Sequence, residues 1–296
     1  MTVPVTAASL TETWVFLGDS LTEGIGRRRV SYVSELAKLL RAEGGRAVHE
    51  LRFRMLDLSS SRDLAHFNAA AQLVKDGRAA GSALWLVNLA AEGTLTPSDL
   101  DHVALVAALK CSRVFVLRGA LESVLRPRQV KAGGWPFWTP RSWRHFAALD
   151  PRCFFSATWW RKARQAALDA AKQRLRLRLL AEGGAPLVPD DEFLRSFEAL
   201  LRALAPIGAR IIVLALPPIS GAVFPGSDDV MQRRNASLCA LCAARQVEFI
   251  DWHAEILRGF PALFCRDGFH PNESGARLMA SILQKYLSAP AETAHV

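Results

Sequence analysis

The sequence predicts an α/β fold, a three-layer sandwich in which a central parallel sheet is covered by helices on both faces. Two observations carry this expectation. Short apolar runs of strand length alternate along the chain with longer segments of helical periodicity, the pattern left by strands buried on both sides. Half of the 296 residues are hydrophobic and 22% are charged, so the chain can fill a full-sized core without disulfides or metal and is too apolar for a solvated coil. No internal repeat breaks the alternation.

The elements follow in order. Residues 14–17 form an apolar run ending at Gly18 and read as the first strand. Ser31 suits the cap of a helix with Val33, Leu36, Ala37 and Leu40 at helical spacing, and Gly44-Gly45 ends it. Leu51, Phe53 and Met55 alternate with Arg52 and Arg54, which predicts a strand with one wetter face. A helix carrying Leu64, Phe67, Ala71 and Val74 comes next, and then a buried strand over 83–89. Thr96-Pro97-Ser98-Asp99 has the residue order of a helix start, with Leu100, Val103, Ala104 and Ala107 as the expected buried stripe. Residues 114–117 and 211–216 are further strand-length runs. A helix over 235–245, a strand over 247–251 and an amphipathic helix over 275–287 complete the chain.

Residues 126–190 do not fit the alternation. They hold five of the eight tryptophans (Trp135, Trp138, Trp143, Trp159 and Trp160) and many arginines. We expect an insertion with its own helix over about 157–182, although the alternation in Arg174-Leu175-Arg176-Leu177-Arg178 also suits a strand. Tryptophans most often pack in cores and arginines most often coat solvated faces. The functional alternative is aromatic stacking on sugars or at a membrane interface, with arginines on anionic groups. The chain has 37 Lys+Arg against 28 Asp+Glu, a net +9, but no nucleic-acid motif, and no nucleic-acid partner is expected.

The N-terminus lacks a basic segment followed by a long apolar one, and no apolar run has membrane-spanning length. The odd count of five cysteines suggests a reducing compartment, so a cytoplasmic location is expected. Cys239 and Cys242 form a CxxC, but they lie in an Ala/Leu-rich helical stretch without a second Cys/His pair, and core packing is the expected role.

Two anchors carry chemistry. Residues 15–24 read VFLGDSLTEG: a buried strand runs into Gly18-Asp19-Ser20 and a turn. This places a hydroxyl at the carboxyl end of a strand, where open α/β sheets bind ligands, beside backbone N–H groups able to hold an oxyanion. An ordinary strand-to-helix turn with a capping serine has the same composition. The second anchor is Asp267-Gly268-Phe269-His270-Pro271-Asn272, before the last helix. A serine needs an imidazole to take its proton, and the imidazole needs an orienting carboxylate. Asp267 and His270, three apart in a Gly/Pro-bounded loop, can supply both.

The segment around Ser20 resembles the GDSL block of the SGNH hydrolases (GDSL-type esterases and lipases), and DGFHP resembles their closing Asp-x-x-His block. Residues 88–94, NLAAEGT, are similar to the family's glycine-bearing oxyanion loop, and 211–218 to the strand that lines its pocket. The resemblance covers about 1–123 and 191–290. It implies an SGNH-hydrolase/flavodoxin-like sandwich spanning 1–290 and interrupted by the 126–190 segment as a lid or binding subdomain. It also implies a serine hydrolase of acyl esters, such as carbohydrate O-acetyl esters, needing no cofactor or metal. Ser20 would be the nucleophile, His270 the general base and Asp267 its partner. Ser20 and Gly93 would donate to the oxyanion, with Asp19, Asn88 and Pro218 beside the substrate. An O-acyltransferase using the same serine and a catalytically weakened binding protein are the alternatives. The expected partner is a small-molecule or glycan ester, with an anionic glycan or lipid surface against the insertion.

The chain departs from the pattern where the family has Gly-x-Asn-Asp: here stands Gly119-Ala120-Leu121-Glu122, and Leu121 has no donor to offer. The strand–helix unit at about 47–78 is additional and leaves the strand order open. Asp57-Leu58-Ser59 is a rival for the oxyanion loop but lacks its glycine.

Overall fold

The computed structural model describes residues 11–24, 30–53, 60–80, 83–128, 134–145 and 147–289. The strands are β1 (Glu12–Gly18), β2 (Ala47–Arg52), β3 (Ala83–Asn88), β4 (Arg113–Leu117), β5 (Leu125–Pro127), β6 (Gly184–Pro186), β7 (Arg210–Leu214) and β8 (Glu248–Ile250). The helices are α1 (Ser20–Glu23), α2 (Tyr32–Glu43), α3 (Ser61–Ala80), α4 (Val103–Ala108), α5 (Ala120–Ser123), α6 (Trp159–Ala181), α7 (Asp190–Leu204), α8 (Ser227–Arg245), α9 (His253–Arg258) and α10 (Glu273–Ser288).

Six strands form one parallel sheet in the order β2-β3-β1-β4-β7-β8. Because strand side chains alternate in direction, β1 feeds two cores. Trp14 and Phe16 pack with Tyr32, Leu36, Trp252, Met279 and Leu283, from α2, α10 and the loop before α9. Val15 and Leu17 pack with Phe67, Val106, Phe193, Phe197 and Leu238 from α3, α4, α7 and α8. The three-layer sandwich that the sequence predicts is therefore present. The additional unit resolves the strand order, since β2 sits at the sheet edge beside β3. The chain reverses its direction of winding at β1, which leaves β3 on one side and β4 on the other. Ligand crevices open at the carboxyl ends of strands at such a point.

Several element expectations need correction. Thr96 does not cap a long helix: a 3₁₀ turn, Thr96–Leu100, precedes α4 and has no side-chain cap. The Thr96 hydroxyl instead donates to Glu122 Oε2 at 2.9 Å. The buried stripe is His102, Val106 and Leu109, while Leu100 is exposed. The 174–178 stretch is helical, not extended, because α6 buries Leu175, Arg176 and Leu179 on one side. Residues 191–204, to which the sequence reading assigns no element, form most of α7. There Phe193, Phe197, Leu200, Leu201 and Leu204 keep helical spacing and three acids occupy the first turn, where the helix dipole favours them. β2 ends at Arg52, and Met55 and Asp57-Leu58-Ser59 lie outside the described residues. Cys242 is buried in the α8 core, Cys239 is exposed, and all five cysteines are free.

The 126–190 segment leaves and rejoins the sandwich at one place. β5 pairs antiparallel with β6, and Arg128 N–H donates to the Gly183 carbonyl at 3.1 Å. Between these ends, Leu149, Leu175 and Leu179 form a small separate core against which Trp135 and Trp143 pack. No helix among the described residues is long and apolar enough to cross a membrane.

Candidate active site

β1 delivers Ser20 to the carboxyl edge of the sheet. Asp19 caps the single turn of α1, its carboxylate accepting the Leu21 N–H at 3.0 Å. Burial pushes the Asp19 carboxyl above its ordinary range, opposed by the charge of Arg118 and the Leu21 hydrogen bond. The turn holds Ser20 Oγ 2.8 Å from His270 Nε2. His270 Nδ1 lies 2.6 Å from Asp267 Oδ2. The other Asp267 oxygen accepts the backbone N–H groups of Phe269 and His270 at 3.1 and 3.2 Å. Gly268, between the pair, has φ +62°, and a Cβ there would lie 2.3 Å from the Ser220 Cβ, so the loop demands glycine. The two sequence anchors, 250 residues apart, thus meet in one hydrogen-bonded relay.

A third side chain, missed in the sequence, joins them. Cys153, from the 126–190 segment, donates its thiol to Asp267 Oδ2 at 2.8 Å and lies 3.3 Å from His270 Nδ1. Burial, followed by the Asp267 charge, pushes the thiol well above its ordinary range and keeps it a protonated donor. Burial raises the Asp267 carboxyl, but the hydrogen bond and charge of His270 and the Cys153 and Phe269 donors outweigh it and hold it below the usual carboxylate range. The Cys153 thiol, an Asp267 carboxylate oxygen and a His270 ring nitrogen, groups that could hold a metal ion, lie within 4.8 Å of one another. In this arrangement the three side chains are hydrogen-bonded to one another. No local pattern marks Cys153, which stands 114 residues from Asp267.

Gly93 and Ser20 line the same cavity of about 490 Å³. The Gly93 φ is +73°, a conformation that only glycine adopts without strain. Among the described residues, no protein group accepts the Ser20 or Gly93 backbone N–H. The loop bearing Gly93 is anchored at many points. Asn88 Nδ2 donates to the Thr22 carbonyl at 2.8 Å and Asn88 Oδ1 accepts the Ala90 N–H at 3.0 Å. The Ala91 N–H reaches the Gly18 carbonyl at 3.1 Å, and the Glu92 N–H reaches Glu23 Oε2 at 2.6 Å. Arg118 grips Thr94 and forms a bidentate pair with buried Asp99 at 2.5 and 2.6 Å.

Leu121 lines the cavity and contributes no polar side-chain atom. Glu122 turns away and accepts both the N–H and the hydroxyl of Thr96. Leu121, Val124, Phe224 and Phe269 supply the apolar wall, while Glu92, Arg126, His145 and Asp150 supply polar groups. Arg126 is ion-paired with Asp150.

Three expected substrate contacts move to supporting roles, since none of them lines the cavity. Asp19 is spent capping α1, and Asn88 is spent holding the Gly93 loop. Pro218 is buried, and two residues on, the Ser220 N–H donates to the Gly268 carbonyl at 2.8 Å. Arg161, Arg164 and Arg174 are exposed on α6 and also stand outside the lining.

No family model and no curated relative matches the sequence. Solved structures do resemble it. A lipase/acylhydrolase from Enterococcus faecalis superposes with a TM-score of 0.54 at 13% identity, covering 94% of this chain and 95% of that one. The acetylxylan esterase Axe2 from Geobacillus stearothermophilus gives 0.54 at 15% identity, covering 96% and 97%. LAE5, an alpha/beta hydrolase enzyme from the metagenome of Lake Arreo, Spain, gives 0.53 at 16% identity, covering 94% and 95%. Sheet order, layer arrangement and these superpositions agree that the chain has the SGNH-hydrolase fold implied by its sequence blocks.

Proposed function

We propose that this protein is a serine hydrolase of acyl esters. The observation that carries the reading is the continuous relay from Ser20 Oγ through His270 to Asp267, at 2.8 and 2.6 Å, opening into a cavity. His270 Nε2 takes the hydroxyl proton as Ser20 Oγ bonds to the ester carbonyl carbon, and the resulting oxyanion accepts the N–H groups of Ser20 and Gly93. Asp267 fixes the ring with Nδ1–H inward and stabilises the imidazolium. The imidazolium returns its proton to the leaving alkoxide, which departs as the alcohol. Water then attacks the acyl-enzyme with His270 again as base, releasing the acid and restoring Ser20.

The cavity, apolar on one wall and polar on the other, suits an acyl group joined to a polar alcohol. A carbohydrate O-acyl ester fits that division, and one structural neighbour is described as an acetylxylan esterase. The absence of a polar side chain at Leu121 favours one second reading, a binding protein with weakened chemistry.

A fluorophosphonate probe separates the two. It should label the wild-type protein at Ser20, leave Ser20→Ala unlabelled, and accompany hydrolysis of p-nitrophenyl esters of graded chain length. Labelling that survives Ser20→Ala refutes the mechanism, and an unlabelled wild type leaves the binding protein.

A further inference from the structure

We propose that the 126–190 segment is a peripheral membrane-docking surface that seats the active-site mouth on an anionic phospholipid bilayer; for the choice of a lipid over other anions, this rests on the esterase reading. Charge and aromatic exposure lead to the same segment. Residues 126–189 contain thirteen Arg and Lys against three Asp and Glu, so they carry more positive charge than the whole chain's net +9. Phe137, Trp138, Phe154, Trp159 and Trp160 are 91%, 53%, 55%, 79% and 48% exposed, and the exposed large aromatics of the described residues all fall in this segment. Its other two tryptophans, Trp135 and Trp143, pack against the small core, so the exposed rings are not a shortage of interior.

Both aromatic groups lie close in the chain to residues that line the cavity. Arg144 Nη2 donates to the Phe137 carbonyl at 3.0 Å, and the adjacent His145 lines the cavity. Phe154 follows Cys153, whose thiol touches Asp267, and Pro151 lines the cavity just before it. Trp159 and Trp160 open α6 five and six residues later, followed by exposed Arg161, Lys162 and Arg164.

Protruding Trp and Phe side chains interleaved with cations suit the headgroup boundary of a bilayer. The rings enter the interface there and the cations meet lipid phosphate and carboxylate. Single-stranded nucleic acid would also meet cations and aromatic rings, but it carries no acyl ester for the adjoining relay to cleave. The cavity's apolar side chains, Leu121, Val124, Phe224 and Phe269, by contrast, suit an acyl chain.

The test uses the full chain as Ser20→Ala, so that vesicle binding is read without turnover and its failure stays distinct from failure of the esterase reading. Binding is measured by co-sedimentation with phosphatidylcholine vesicles, with and without phosphatidylserine, and by quenching of tryptophan fluorescence with brominated lipid. We expect binding to the anionic vesicles, its loss at high salt, and quenching by the brominated lipid. Arg161→Glu/Lys162→Glu should lower partitioning by about tenfold or more, from the usual contribution of each cation near an anionic surface. Phe137→Ala/Trp159→Ala should lower it with the unfolding temperature unchanged, since both rings are exposed. Failure to bind anionic vesicles, equal binding to neutral ones, or capture of single-stranded DNA with no vesicle binding overturns the proposal.

Discussion

Asp267 accepts four donors: two backbone N–H groups, the His270 ring and the Cys153 thiol. The thiol competes with the imidazole for Oδ2, withdrawing negative charge that would otherwise stabilise the imidazolium. Because the thiol is also one of the donors that hold the Asp267 carboxyl below its usual range, Cys153→Ala should let Asp267 take up its proton at higher pH and move the acidic limb of the pH–rate profile to higher pH. Cys153→Ser, which keeps a donor, should restore the profile. Measuring kcat/KM against pH for the three proteins decides it, because a purely structural role would lower activity without displacing the limb. A second residue-scale expectation concerns Leu121, which faces the cavity where the resembled family has an asparagine donor. Leu121→Asn should raise kcat, by up to about 10²-fold if the amide reaches the oxyanion. A large fall would show that the leucine is packing required by the site.

At the scale of elements, the Gly93 loop depends on two clamps that follow β4, one directly after the strand and one in α5. Arg118 binds Asp99 and Thr94, and Glu122 binds Thr96. Arg118 is 1% exposed and Asp99 fully buried, so their desolvation is offset only while both partners remain. Asp99→Ala should destabilise the fold by about 3–5 kcal/mol, the usual cost of stranding one charge of a buried pair, read as a lower urea midpoint. The same clamps explain the misread helix start at Thr96. Its hydroxyl suits a cap by composition, but a carboxylate 26 residues away takes it.

Across the whole molecule, the sandwich and the 126–190 segment divide the work. The sheet is assembled from buried strands whose edges carry Ser20, Gly93 and Leu121 to a shared crevice. The segment, pinned by β5 and β6, closes that crevice with Arg126, His145 and Asp150 and reaches the relay through Cys153. It also concentrates the cations and exposed rings, so the surface that would choose a partner is held apart from the core that sets the chemistry. The vesicle experiment examines that division directly.

Alternation of apolar runs with helical spacing was enough to specify the layers, because a strand buried on both faces cannot tolerate polar residues. Turn composition points to Ser20, Asp267 and His270 and the family resemblance to Gly93, and the folded chain hydrogen-bonds the first three to one another and places Gly93 on the wall of the same cavity. α7 is equally legible in the helical spacing of Phe193, Phe197, Leu200, Leu201 and Leu204. Tertiary structure alone decided the rest. Asn88 and Asp19 lie in the same segments as the site, and only the folded chain shows their groups turned to its support, while Pro218 is simply buried. Cys153 reaches Asp267 across 114 residues, and such a contact leaves no trace in local pattern. Which tryptophans pack and which protrude depended likewise on the small core around Leu149, Leu175 and Leu179, because composition fixes how many rings a segment has but not which of them find an interior.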